Sequence, residues 1–298
     1  MIVVFLGLPF ALYLLLVLYP FTQAAYYSLT AWTGFSAEQP FVGLANYARL
    51  AGDDRFLTAL GNSATLLLVV PVVTLVLSFA LAVLVTFGGS SHGGVRGLGS
   101  AGFYRVVSFF PYVVPAIVIG IIWSQVYNPA NGLLNGALTA VGLDRFADFA
   151  WLGSSDTAMT ASIVVIVWSF IGFYMVLFVA AIKGIPAELF EAARLDGAGR
   201  FRSAVHVALP GVLGSVRTAY VYMGILALDA FVYMQALNPS GGPDSSTLVI
   251  TQQIYTTAFS QGQFGLACAM GVVLAVVTFG FVTAVLSVSR LVERRLGA

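Results

Sequence analysis

The sequence predicts an all-α, polytopic membrane protein with six transmembrane helices. Only 8% of its 298 residues are charged and 59% are hydrophobic, where soluble domains carry about 25% charged residues; the mean hydropathy is +0.95. The apolar residues fall into six runs, each near the about 20 residues that a helix needs to cross a bilayer core. The runs are continuous rather than alternating, which excludes a transmembrane β-barrel.

The first span is expected at roughly residues 3–28. Its apolar stretch outruns the core of a signal peptide and lacks a small-residue cleavage site, so it is expected to be retained. The others are expected at roughly 62–87, 106–126, 158–182, 213–237 and 264–289. Pro9, Pro20, Pro71, Pro111 and Pro115 predict local kinks, with neighbouring helices re-satisfying the freed carbonyls. The connections 29–61, 128–157 and 238–263 are long enough to hold short interfacial helices.

Basic residues set the orientation. With residue 1 inside, the inner connections hold Arg96, Arg105, Lys183, Arg194, Arg200, Arg202, Arg217, Arg290, Arg294 and Arg295, and the outer ones only Arg49, Arg55 and Arg145. Ten against three satisfies the positive-inside rule. With Arg217 assigned to an inner connection, the spans are read as free of lysine and arginine. The net charge of +1 gives no reason to expect nucleic-acid binding. The single cysteine, Cys268, lies in an apolar run and reads as a small buried hydrophobe.

One polar island, 188–210, interrupts the oily pattern and carries Glu188, Glu191, Arg194, Asp196 and Arg200. Pro186 suits a helix start, where its missing N–H is no loss. Glu188 and Glu191 sit where the helix dipole favours negative charge, and Gly197 can end the helix in the left-handed conformation. A helix of roughly ten residues is marginal alone in water, so another protein is expected to hold it.

The run 185–199, Ile-Pro-Ala-Glu-Leu-Phe-Glu-Ala-Ala-Arg-Leu-Asp-Gly-Ala-Gly, with Leu209-Pro210, resembles the EAA loop of ABC-importer permeases, most closely the maltose-type carbohydrate-uptake subfamily. Phe41 to Tyr47 is similar to that family's GLxNY segment, Asn128 to Asn135 to its GLLN segment, and Gly241-Gly242-Pro243 with Thr247 to its GGPxxxT loop. Leu228 to Tyr233 is similar to its FDxxY segment. Asn238-Pro239-Ser240 and Val207-Ala208 depart from the family pattern. The resemblance implies a single type I importer permease domain over 1–298, with a cytoplasmic coupling helix at about 187–196. Its docking residues would be Phe190, Glu191, Ala192, Ala193, Leu195, Asp196 and Gly197, with Phe190 and Leu195 as apolar anchors. It also implies a bacterial or archaeal cell membrane and a cytoplasmic C-terminus. The implied partners are a second permease, two ATPase subunits and an extracytoplasmic sugar-binding protein.

The chain lacks the Gly-x4-Gly-Lys-Ser/Thr loop that cradles phosphates, because its only lysine, Lys183, precedes Gly184. ATP and Mg are therefore expected on the separate ATPase. His92 and His206 have no neighbouring ligands for a metal site, so no catalytic or metal-binding residue is expected. Asp229 is the one acid deep in a span, at a cost of roughly 2.5–3.5 kcal/mol unless a partner or water meets it. It either faces the translocation path or ties two helices together. By the resemblance, Trp168, Ser169 and Phe173 fall where sugar-contacting residues lie, while helix packing by aromatics remains the alternative; Tyr174 stands beside them. Tyr222, Tyr233 and Gln235 are further candidates. Spans without cations imply a neutral mono- or oligosaccharide. A secondary transporter would need more intramembrane charge and inverted repeats, a membrane enzyme would need clustered ionisable groups, and a purely structural subunit would leave the 185–199 run without a role.

Overall fold

The computed structural model describes residues 2–87 and 101–296, and among them the regular elements are helices, apart from one antiparallel bridge between Thr30 and Phe41. Helix α1 is the continuous run Ile2–Tyr13, a π-helical turn Leu14–Leu18, and Tyr19–Tyr27. There follow α2 (Ala45–Ala51), α3 (Asp54–Phe87), α4 (Ala101–Val113), α5 (Ala116–Val126), α6 (Leu133–Ala140), α7 (Ala158–Lys183) and α8 (Ala187–Leu195). Helix α9 joins Arg200–Ser203, a π turn Ala204–Ala208 and Leu209–Gly211; α10 is Leu213–Leu228, α11 Phe231–Leu237, α12 Ile250–Tyr255 and α13 Phe264–Leu296.

By length and composition α1, α3, α7 and α13 are each long and apolar enough to cross a membrane, and counting each of the bent pairs α4–α5 and α9–α10 as one span brings the number to six. The count meets expectation, but three details differ. The second span begins at Asp54, not near 62, because the Asp53 carboxylate accepts from the amides of Arg55 and Phe56 at 2.9 and 3.2 Å; a helix starts at its cap, not at its first apolar residue. The third is bent by 100° between Val113 and Ala116, where Pro115 is extended (ψ 137°) and cannot continue α4. The fifth is not one helix over 213–237: α10 stops at Leu228, Asp229 and Ala230 leave the helical path, and α11 starts afresh. Arg217 is a further correction. It lies one turn inside α10 rather than in a connection, and Arg105 lies inside α4, so the spans do contain cations.

Two of the π turns end two residues before a proline, Pro20 and Pro210. A proline ring collides with the carbonyl four residues earlier. The wider turn moves the carbonyls of Leu16 and His206 aside and lets each helix pass its proline.

The core lies where α3, α7 and α10 meet, around Leu66, Val70, Tyr174, Met175, Phe178 and Met223. Lipid offers no hydrophobic drive between helices, so close approach through small residues does the packing. Gly172 on α7 lies against the backbone of Ser108 on α4, Gly120 against Ala236, and the Ser78 hydroxyl donates to the Ile171 carbonyl at 2.8 Å. Helix α1 is exposed over its apolar length and touches the remainder at its C-terminal end. There Trp32 packs on Tyr27 (4.3 Å between rings) and on Phe264 (5.7 Å).

The connections 29–61, 128–157 and 238–263 contain short helices (α2, α6, α12), as expected, and polar residues in or beside them act as clasps. Asn46 donates to the Ser28 and Thr30 carbonyls at 2.8 and 2.9 Å, closing the turn after α1. Asn135 donates to the Phe149 carbonyl (3.0 Å) and accepts from the Trp151 indole (2.6 Å). Asn62 on α3 donates to the carbonyls of Ser245 and Leu248 at 3.1 and 2.9 Å, and the Ser63 hydroxyl accepts from the Ile250 amide at 3.0 Å. These side chains satisfy backbone groups that no helix pairs.

Candidate functional site

Helix α8 hangs between α7 and α9 with most of its surface exposed. Pro186 caps its start (ψ 133°) and Glu188 occupies the first turn. At its end the Ala198 amide donates to the Ala193 carbonyl at 2.8 Å and the Gly197 amide to the Arg194 carbonyl at 2.9 Å. This is a Schellman closure, and it places Gly197 at φ +78°, a conformation that a β-carbon disfavours. Glu191, Ala192, Leu195, Asp196 and Gly197 are exposed and Ala193 is partly so.

Phe190 departs from expectation. It is 5% exposed, its ring 5.4 Å from that of Phe87 at the end of α3. It therefore anchors α8 to this chain's own spans and is not presented outward. The outward apolar side chains are Leu195, 90% exposed, and Leu189, 53% exposed. A nine-residue helix has little stability of its own, so Phe190→Ala is expected to release it. Loss of a buried phenylalanine costs about 3–5 kcal/mol, and hydrogen exchange should show the α8 amides opening while those of α3 and α7 stay protected.

A cavity of about 710 Å³ lies between α4, α7 and α10, open on one side and lined by Tyr112, Phe173, Tyr174, Ser215, Thr218 and Tyr222 among others. Tyr112 and Phe173 stack at 4.5 Å with 23° between ring planes. Aromatic faces flanked by hydroxyls provide both apolar and hydrogen-bonding contact. On α10, residues 215, 218, 222 and 226 follow one another at three- and four-residue steps, and so form one stripe. Ser215, Thr218, Tyr222 and Leu226 of that stripe line the cavity, and the exposed Asp229 prolongs it where α10 breaks.

Of the residues expected on the pathway, Phe173 and Tyr222 line this cavity, as does Tyr174. Ser169 does not: it is 1% exposed, and its hydroxyl donates to the Val165 carbonyl at 2.8 Å. Tyr233 approaches Ser169 and packs beside Phe170, 6.2 Å between rings. Trp168 meets Trp123 edge to face at 5.4 Å, away from the cavity lining. Gln235 accepts from Gln252 at 3.1 Å. Sequence reasoning missed Tyr112, Ser215 and Thr218; the polar three- and four-residue steps of α10 were the available signal. His206 is exposed, its ring nitrogen 3.1 Å from the Arg202 carbonyl; His92 and Arg96 lie outside the described residues.

A family model described as binding-protein-dependent transport system inner membrane component matches residues 89–298. The diacetylchitobiose uptake system permease protein NgcF of Streptomyces coelicolor is 56% identical, covering 96% of this chain and 81% of the relative. The multiple sugar-binding transport system permease protein MsmF of Streptococcus mutans is 32% identical over 92% of this chain and 89% of its own length. Among solved structures, a chain from a bacterial ABC transporter involved in the import of the acidic polysaccharide alginate superposes with a TM-score of 0.81, at 22% identity and over 97% and 95% of the two chains. That likeness speaks to the fold.

Proposed function

The chain belongs to the family of binding-protein-dependent transport system inner membrane components, and from that premise we propose that it forms one half of the translocation path of an ATP-driven sugar importer, opposite a second, non-identical permease. It is a transport subunit, not an enzyme. The observation that carries the geometric reading is α8: a short exposed helix, closed at both ends and fixed to the spans by one buried ring. Such an element suits docking in a groove of a partner. Two ATPase subunits, holding ATP and Mg, seat below; a sugar-binding protein seats above; α8, the inner connections and the C-terminus lie on the cytoplasmic side. Closure of the ATPase pair displaces α8, Phe190 passes the displacement to α3, and the spans rock between outward and inward access.

The cargo is a neutral mono- or oligosaccharide. The 710 Å³ cavity has aromatic and hydroxyl walls with no lysine or arginine among its lining residues. Arg217 points instead into the opposite, α10–α13 groove. NgcF, at 56% identity, is named for diacetylchitobiose uptake, so that neutral disaccharide is the first cargo to test. Proteoliposomes holding both permeases and the ATPase, supplied with the binding protein, should accumulate it only with internal ATP. Accumulation without the ATPase would refute the reading.

Asp229 ends the cavity stripe of α10 and offers its carboxylate to sugar hydroxyls. Asp229→Leu is expected to leave assembly intact and lower uptake efficiency about tenfold, in line with the about 1–3 kcal/mol lost when a polar partner is removed. Unchanged uptake kinetics would remove Asp229 from the path.

A further inference from the structure

We infer that a groove on the face of the spans turned away from the cavity is a binding site for an anionic phospholipid, with one acyl chain along α10 and α13 and the phosphate at Arg217. The groove, of about 500 Å³, is bounded by Leu68 on α3, Tyr220 on α10, and Phe281, Val285 and Val288 on α13, with Arg217 and Ser289 at one end. Its walls between Leu68 and Val288 are apolar apart from the Tyr220 hydroxyl, as an acyl chain requires. The Arg217 guanidinium donates to the Ser289 hydroxyl at 3.0 Å, and that hydroxyl donates on to the Leu286 carbonyl at 3.3 Å. Phe281 and Ser289 are eight residues apart, about 12 Å along a helix, so the apolar part of the groove has the length of a substantial acyl segment.

Charge complementarity selects the headgroup. Arg290 follows Ser289 on α13 and is exposed, and with Arg217 it brings two positive charges to this end of the groove. A guanidinium has five N–H donors in a planar fork matched to phosphate, so a phosphate oxygen can join the partners Arg217 already holds. Basic pockets between transmembrane helices on the cytoplasmic side suit anionic headgroups. The site uses a face of α10 distinct from the cavity stripe, and it does not rest on the identity of the cargo.

The test is native mass spectrometry of the intact transporter, delipidated and then titrated with phosphatidylglycerol or phosphatidylcholine of identical acyl chains. Wild type is expected to retain phosphatidylglycerol in preference, and Arg217→Gln to lower that preference about fivefold, the contribution of one arginine near an anionic surface; Arg217→Lys should restore most of it. Val285→Trp, which fills the groove and leaves Arg217 in place, should reduce retention of both lipids, so that the inference does not hang on the folding of one variant. Equal retention of the two lipids by wild type, or no change in either Arg217→Gln or Val285→Trp, overturns it. A photoreactive residue at Val288 should label lipid; labelling of another subunit would show that protein covers the groove, and would also overturn it.

Discussion

Glu191→Lys combined with Gly197→Asp is expected to abolish uptake and to release the ATPase subunit on purification, while the permease itself stays folded. Both positions are exposed on α8, and a β-carbon on Gly197 meets nothing within 4 Å. Asp is among the few residues that visit the left-handed conformation, where an L-residue typically pays about 1–2 kcal/mol, so the Schellman turn survives. The damage falls on the docking surface. A charge reversal and a new carboxylate at the centre of a small interface cost hot-spot energies of about 2–4 kcal/mol, or roughly 30- to 1,000-fold in association. Co-purification and uptake that both match wild type would show that α8 does not couple this chain to a motor.

The second large effect is a fold effect. At Gly172 a single methyl would sit on the carbonyl of Ser108, and that obstacle is helix backbone, which cannot rotate away. Gly172→Ala must push α4 off α7, with an overpacking cost of about 1–3 kcal/mol or more, and α4 carries Tyr112 into the cavity wall. The expected result is a sharp fall in folded yield and in thermal stability on fluorescence-detected size exclusion. Gly280→Ala is the control: nothing lies within 4 Å of that β-carbon, and alanine in a helix is worth about 0.5–1 kcal/mol over glycine. Equal behaviour of the two variants would mean that the α4–α7 crossing is looser than the structure shows.

The elements legible in the sequence are those whose signals are local. Six apolar runs gave six crossings, and Pro186 and Gly197 bounded α8 to within a residue, because a missing N–H and a missing β-carbon act at the residue that carries them. The break after Leu228 was hidden, since Asp229 and Ala230 interrupt hydropathy for too short a stretch to register. The bend after Val113 was signalled by Pro115, but not its 100° size: α5 goes on to pack against α11, Gly120 on Ala236, a contact remote in sequence. Phe190 shows the same limit in the site. Position on an exposed helix suggested an outward anchor, and only the fold reveals that Phe87 waits beneath it. The inward stripe of α10 was readable in principle from the spacing of Ser215, Thr218 and Tyr222, whereas the burial of Ser169 depended on its neighbours.

Helix α3 joins two sites that its sequence gives no hint of joining. Phe87, against α8, is its last residue; Asn62 and Ser63, which hold the loop and helix after α11, lie 25 and 24 residues earlier on the same helix, so about 37 Å of one helix separates the two sites. Pro71 is the one proline inside it, where a backbone hydrogen bond is missing. A shift of Phe87 under α8 would have to pass that joint before it moved the loop that Asn62 and Ser63 hold.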